Sequence, residues 1–338
     1  MTHLPRTIII WLFCICLLLC AIVTGAAIGE IAIPFSTFLK TIANHLFGSG
    51  YEVDIFHSRV IWLWRLPRAV VGACCGAGLA MCGVILQALL RNPLAEPYLL
   101  GISSGAGTGA ALVTAFGMNL SILSLSTGAL IGGLLSFFFV VFLAYHSGRN
   151  ATAIILAGIA SAMLFNALTA LILMIFTPLE GRSNIFAWMI GNLSGARWSD
   201  ALLAFPLTLL AFLIFLAFSR ILDAFVFGSR AAKSLGISVN YVSMLLITLV
   251  ALVTAVMVSI MGTISFVGLV VPHAARLIVG VRHQLLIPAS ALIGALFMIA
   301  ADVISRIIVP GLAFPVGIVT ALIGAPLFAL LLLRQKGN

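Results

Sequence analysis

Arg65 and Arg68 stand three residues apart, separated by Leu66-Pro67, directly ahead of a long apolar run. The chain is 63% hydrophobic and only 7% charged. An ionisable side chain inside hydrocarbon is costly and by default functional, so this pair is expected at a water interface. The chemistry it offers is recognition: a planar guanidinium can hold a carboxylate through two parallel hydrogen bonds. Proline is tolerated in the first turn of a helix, where its missing N–H had no partner, so both guanidinium groups are expected to project from one helix mouth. The plainer alternative is two anchors snorkelling to lipid phosphates. Asp302 and Arg306, four residues apart, share a helix face and can pair. That pair is either functional or a self-neutralising couple that orients Arg306.

Catalytic chemistry is not written in the chain. Gly228-Ser229-Arg230-Ala231-Ala232-Lys233-Ser234 comes nearest to a phosphate-binding loop but lacks the glycine before lysine. No His-Glu-x-x-His, Gly-x-Ser-x-Gly or paired-cysteine zinc spacing occurs. Catalytic residues, cofactor and metal sites are therefore expected to be none. The six cysteines, Cys14, Cys16, Cys20, Cys74, Cys75 and Cys82, all fall within apolar runs and read as small packing residues without a disulfide framework. A net charge of +9 could suggest nucleic acid, but the basic residues are scattered among loops with no aromatic-interleaved patch, so no nucleic-acid partner is expected.

The elements that must position these groups are membrane helices. Apolar runs long enough to cross roughly 30 Å of hydrocarbon recur along the chain, and they do not alternate as barrel strands would. Counting between breakers predicts an all-α integral membrane protein of about ten spans, near 7–29, 62–90, 97–116, 121–145, 151–176, 200–218, 241–261, 264–280, 286–306 and 313–333. The first is read as a retained span, too long and too apolar for a secretion signal. An even number of spans puts both termini on one side, read as cytoplasmic, and the whole chain 1–338 forms a single transmembrane domain. The inner segments then hold Arg6, Arg91, Arg149, Arg220, Arg230, Lys233, Arg276, Arg282, Arg334 and Lys336. The outer ones hold Lys40, Arg59, Arg65, Arg68, Arg182, Arg197 and Arg306. Ten against seven is a weak positive-inside bias, so the outer arginines read as functional.

Two outer loops, about 30–60 and 177–199, are long enough to fold, and the second is expected to form a short amphipathic helix near the membrane surface around Phe186, Trp188, Met189 and Trp198. The inner loop 219–240 is the largest polar segment, with one or two short helices expected in Asp223–Leu235. Glycines cluster in two runs, Gly72, Gly76, Gly78, Gly83 and Gly101, Gly105, Gly107, Gly109. They allow close helix packing or, alternatively, mark sliding helices or the lining of a passage.

Several motifs in order resemble one family. Arg65-Leu-Pro-Arg68, Gly83-Val-Ile-Leu-Gln87, Asn92-Pro-Leu-Ala-Glu-Pro97 and Leu100-Gly-Ile-Ser-Ser-Gly-Ala106 lie in the first half. Gly262-Thr-Ile-Ser-Phe-Val-Gly-Leu-Val-Val-Pro-His273, Ala301-Asp302-Val-Ile-Ser-Arg306 and Pro315-Val-Gly-Ile-Val-Thr-Ala-Leu-Ile-Gly-Ala-Pro326 lie in the second. From about residue 60 to its end, the chain is similar to the FecCD-type permeases of type II ABC importers for ferric siderophores, haem or cobalamin.

The resemblance implies ten spans per subunit and a dimer, here a homodimer, around a central path in the bacterial inner membrane. It also implies two cytoplasmic ATP-binding subunits that bind the ATP, so this chain carries no ATPase site. A periplasmic substrate-binding protein would dock on Arg65, Arg68 and Arg306, while Gly228, Arg230, Ala231, Ala232, Leu235 and Gly236 would form the coupling segment for the ATPases. Thr152 and Trp188 are candidate gate elements. The expected cargo is a ferric siderophore, with haem, cobalamin or molybdate as alternatives. An ATP-independent secondary transporter is the competing class. It would want several intramembrane carboxylates or paired broken helices.

Overall fold

The computed structural model describes residues 4–116, 124–148, 151–309 and 314–335; Arg149 and Lys336 lie outside them. Among the described residues all regular structure is helical. The helices are α1 (Leu4–Ala27), α2 (Phe35–Phe47), α3 (Ile55–Arg59), α4 (Leu66–Leu90), α5 (Ile102–Ala115), α6 (Leu125–His146), α7 (Ala151–Phe176), α8 (Leu179–Met189), α9 (Trp198–Ala217), α10 (Ser219–Val226), α11 (Ser229–Ser234), α12 (Val239–Met261), α13 (Val267–Val279), α14 (His283–Ile307) and α15 (Val316–Gln335). Among the described residues six helices are long and apolar enough to cross a membrane, counting Ile55–Leu90 as one, beside the shorter apolar stretches Leu12–Ala27, Val267–Val279 and Val316–Leu330.

A helix that is apolar all round can face lipid or be enclosed by protein, and α4 is enclosed. It runs through the middle of the bundle, surrounded by α9, α12, α13 and α14, with Val71, Cys75, Leu79, Met81, Val84, Ile85 and Leu86 buried. Helices α7 and α9 lie at the edge and turn Met163, Met174, Leu202 and Leu213 outward, as a lipid-facing wall requires. The glycine runs set this arrangement. A Cβ on Gly76 would stand 2.1 Å from the carbonyl oxygen of Gly294, and one on Gly83 would stand 1.9 Å from that of Gly268. Helices α5 and α6 meet in the same way, with a Cβ on Gly105 falling 2.3 Å from Gly132 O and one on Gly109 falling 2.0 Å from Gly128 O. Lipid tails are as apolar as leucine, so association in the membrane relies on close van der Waals approach, and small residues permit it. Of the readings open for these glycines, tight packing is the one realised in this conformation.

Three local features differ from expectation. Pro67 is not in a first turn, because the helix runs on unbroken from Ile55. Pro67 has no N–H for the carbonyl four residues back, and its ring would crowd that carbonyl in a regular helix. A single π-helical turn over Val60–Arg65, in which Leu66 N–H bonds to Ile61 O, absorbs the mismatch. Secondly, α5 and α13 begin at Ile102 and Val267, later than the apolar runs suggested. A short 3-10 turn, Pro97–Leu100, precedes α5 and an irregular stretch precedes α13; the two meet, Tyr98 Oη accepting from Ile264 N–H (2.9 Å) and donating to Ile264 O (2.8 Å). Non-helical backbone at membrane depth is tolerated where protein buries and pairs it. Thirdly, α8 forms in the 177–199 loop, as expected, but its Ile185 is fully buried in a contact with α5 that the sequence did not suggest.

Candidate functional site

One end of the bundle gathers the arginines. Helix α1 stops at Ala27, leaving carbonyl oxygens in its last turn without intrahelical donors. Arg65 donates through Nη1 to Ala27 O (2.9 Å) and through Nη2 to Ile31 O (2.5 Å). Arg306 donates through Nη1 to Ile28 O (2.6 Å) and through Nη2 to Gly25 O (2.8 Å). Two cations therefore cap one helix C-terminus, where positive charge is favoured. Gly29 makes room for this, since a Cβ there would lie 2.7 Å from the Arg65 Cζ.

Asp302 ties the group together. Its Oδ1 accepts from Arg68 Nε at 2.7 Å and its Oδ2 faces Arg306 Nη2 at 2.9 Å. The side chains of Arg68, Asp302 and Arg306 are 11%, 3% and 5% exposed, and Arg65 is buried too. The i, i+4 pair expected from sequence is formed, and it is shared with a third partner 234 residues away in the chain. Arg68 differs from the other two arginines: among the described residues it has a single hydrogen bond, through Nε, and its buried Nη2 has no partner. All three arginines lie in this one cluster, with Arg65 and Arg306 turned inward in this conformation.

The opposite end gathers the loop residues. Gly228 and Gly236, at φ +100° and +80°, bracket α11; where one or two short helices were expected within 223–235, there are two, α10 starting earlier, at Ser219. Ala232 is fully buried, whereas Leu235 is 70% exposed and Gly236 is also exposed. Arg230 and Ala231 belong to α11, but their side chains lie outside the described set. Gly228 adjoins Arg91, whose Nη1 would be 3.3 Å from a Cβ there. The start of this segment therefore lies against the end of α4. Nearby, the buried Gln87 donates through Nε2 to Ala95 O (3.2 Å) and Gly268 O (3.3 Å), and its Oε1 accepts from Arg276 Nη2. This amide locks α4, the Asn92–Pro97 turn and α13 together.

Thr152 is exposed at the start of α7 and lines a hollow of about 390 Å³ with Leu143, Ser147 and Leu156. Trp188 sits at the end of α8, packed against Ala106, Ala110 and Val258. Its indole Nε1 is buried without a hydrogen-bond partner. The turn after it is pinned by Asn192 N–H to Met261 O (2.7 Å) and by Thr263 Oγ1 to Met189 O.

Sequence reasoning passed over three pairings. Asp223 contacts His283, Arg276 contacts Gln87, and Arg182 caps α7 by donating to Thr177 O and Met174 O. The first two join residues 60 and 189 positions apart, and no local spacing encodes them. The third had a signal, a basic residue just past a helix end.

The comparisons agree with this architecture. The FecCD transport family matches residues 15–334. The Fe(3+) dicitrate transport system permease protein FecD of Escherichia coli (strain K12) is 36% identical over 308 residues, covering 91% of this chain and 93% of the relative. The cobalamin import system permease protein BtuC of Halobacterium salinarum is 40% identical over 273 residues, covering 80% and 72%. A solved inward-facing ABC transporter, assigned to the metal-chelate type, superposes with a TM-score of 0.82 at 33% identity, covering 96% of this chain and 99% of its own. Fold, motif order and near full-length similarity thus converge, and the chain belongs to the FecCD transport family, as a multi-pass permease of an ABC importer.

Proposed function

We propose that this permease crosses the bacterial inner membrane about ten times with both termini in the cytoplasm, pairs with a second copy, and imports a ferric siderophore. Two cytoplasmic ATP-binding subunits would bind the ATP, and a periplasmic binding protein would deliver the cargo. The observation that carries this reading is the separation of the two clusters. Arg65, Arg68, Asp302 and Arg306 gather at one end of α4 and α14, while Gly228–Gly236, Arg91 and Gln87 gather at the other. One end suits the recognition of acidic groups, and the other suits a partner that drives motion.

Within the docking group, Arg68 has Nε engaged by Asp302 and Nη2 buried, so a partner's carboxylate would be met by its Nη1; Arg65 and Arg306 hold the rim by fastening α1. Thr152 and Trp188 flank the segments that would open and close the path. Ferric siderophore is favoured over haem, cobalamin or molybdate because relatives include a ferric dicitrate permease and a probable siderophore permease. The intramembrane carboxylate pattern of a secondary transporter is limited to Asp302, which its arginines already neutralise.

The test is reconstitution with the co-expressed ATPase and binding protein in liposomes, followed by uptake of radioiron-loaded siderophore, haem and cobalamin with and without ATP. ATP-dependent siderophore uptake, reduced by Arg68→Glu and retained in Arg68→Lys, is expected. Uptake indifferent to ATP would return the secondary-transporter reading, and uptake of another cargo would replace the siderophore.

A further inference from the structure

Helix α14 begins without a cap of its own. Its N-cap residue, Arg282, makes no side-chain capping bond. The cap comes instead from Asp223 on α10, 60 residues earlier. Asp223 Oδ1 accepts from the His283 backbone N–H at 3.0 Å and lies 2.6 Å from the ring Nδ1. A carboxylate only accepts, so the ring must donate from Nδ1. The first residue of α14 is held twice by one oxygen. His283 is buried at 4% exposure, while Asp223 keeps a side-chain exposure of 38%. Around it, Leu222 and Phe225 of α10 are buried in the main core. A negative charge at a helix N-terminus is also favoured by the helix dipole.

The position of this contact gives it consequence. Helix α10 leads directly into α11, the coupling segment. Helix α14 is packed backbone to backbone on α4, a Cβ on Gly294 falling 2.3 Å from Gly76 O. At its far end, α14 carries Asp302 and Arg306, the carboxylate of Asp302 holding Arg68 of α4. A displacement of α11 therefore reaches α14 through α10 and Asp223–His283. The α4/α14 pair can then carry it as one body to the arginine cluster.

We propose that Asp223 and His283 are positioning residues for transport. They form the joint that fastens the coupling segment to α14, so that ATPase motion becomes motion of the spans. The role rests on the importer reading above. It requires the two hydrogen bonds, and Asn at 223 can still accept both.

The experiment compares wild type, Asp223→Ala and Asp223→Asn in the reconstituted transporter, reading cargo taken up per ATP hydrolysed. Ferric siderophore, haem and cobalamin are each supplied in turn. Asp223→Ala is expected to lower that ratio by about fivefold or more, the lower end of typical coupling between sites, while its ATPase rate persists. Asp223→Asn is expected to keep the wild-type ratio. If Asp223→Ala does not assemble, His283→Ala, which keeps the backbone cap and removes only the ring bond, is expected to show the same split at smaller size. A wild-type ratio in both alanine variants, or uptake and ATPase falling together, overturns the joint. A wild type that takes up none of these cargoes under ATP overturns the siderophore-import reading on which the joint rests.

Discussion

Replacing Asp302 with alanine removes the one carboxylate between two largely buried guanidinium groups. Arg68 loses its single hydrogen bond, while Arg306 keeps the carbonyl oxygens of Gly25, Ile28 and Asp302. At contacts of 2.7 and 2.9 Å the gross attraction is large, but most of it only repays desolvation. The relevant quantity is the cost of leaving buried charge uncompensated, about 3–5 kcal/mol. At about 2 °C per kcal/mol, suited to a chain of this length, the apparent Tm should fall by about 6–10 °C. The assay is thermal unfolding of the purified permease in detergent, followed by tryptophan fluorescence or by loss of the monodisperse peak. Arg68→Ala should cost much less, since Asp302 stays paired with Arg306. Arg306→Ala should resemble Asp302→Ala, because it takes the donors from the Gly25 and Ile28 carbonyls and leaves only Arg65 to cap α1. An Asp302→Ala protein melting within about 2 °C of wild type, a shift worth only ~1 kcal/mol, would refute the reasoning, because the cluster would then be open to water.

Further outcomes follow from the packing. Gly76→Ala and Gly83→Ala should each destabilise the fold by about 1–3 kcal/mol through overpacking, whereas Gly48→Ala, with open space but φ +64°, should cost only the ~1–2 kcal/mol of a left-handed backbone; thermal melts of the three variants give the comparison. Trp198→Phe keeps ring contact with Trp62 but removes the Nε1 bond to Trp62 O (2.7 Å), a loss of about 0.5–1.5 kcal/mol readable as a small Tm shift. Cys74, Cys75 and Cys82 are buried, so maleimide should label them only after denaturation; labelling of any of the three in the folded protein would contradict the enclosure of α4.

Much of this protein is legible in its residues. Lipid admits only helices and closed barrels, so apolar runs and their breakers are enough to give an all-helical membrane chain. The Asp302–Arg306 pair followed from a spacing of four, and one or two short helices were expected in the polar 219–240 loop, which holds α10 and α11. The order of the motifs pointed to the family. What only the tertiary structure decided is which groups face one another. In a soluble protein the apolar side of a helix reveals its buried face, but in a bilayer lipid and protein interior ask for the same residues. Nothing in the sequence distinguished the enclosed α4 from the peripheral α7. The same ambiguity hid the arginines' inward partners: an arginine near a span end can reach a lipid phosphate, a partner's carboxylate or a neighbouring helix's last carbonyls. Only the placement of α1 beside Arg65 and Arg306 selects the last. Asp223 and His283 were invisible for the simplest reason, that a contact across 60 residues has no period to betray it.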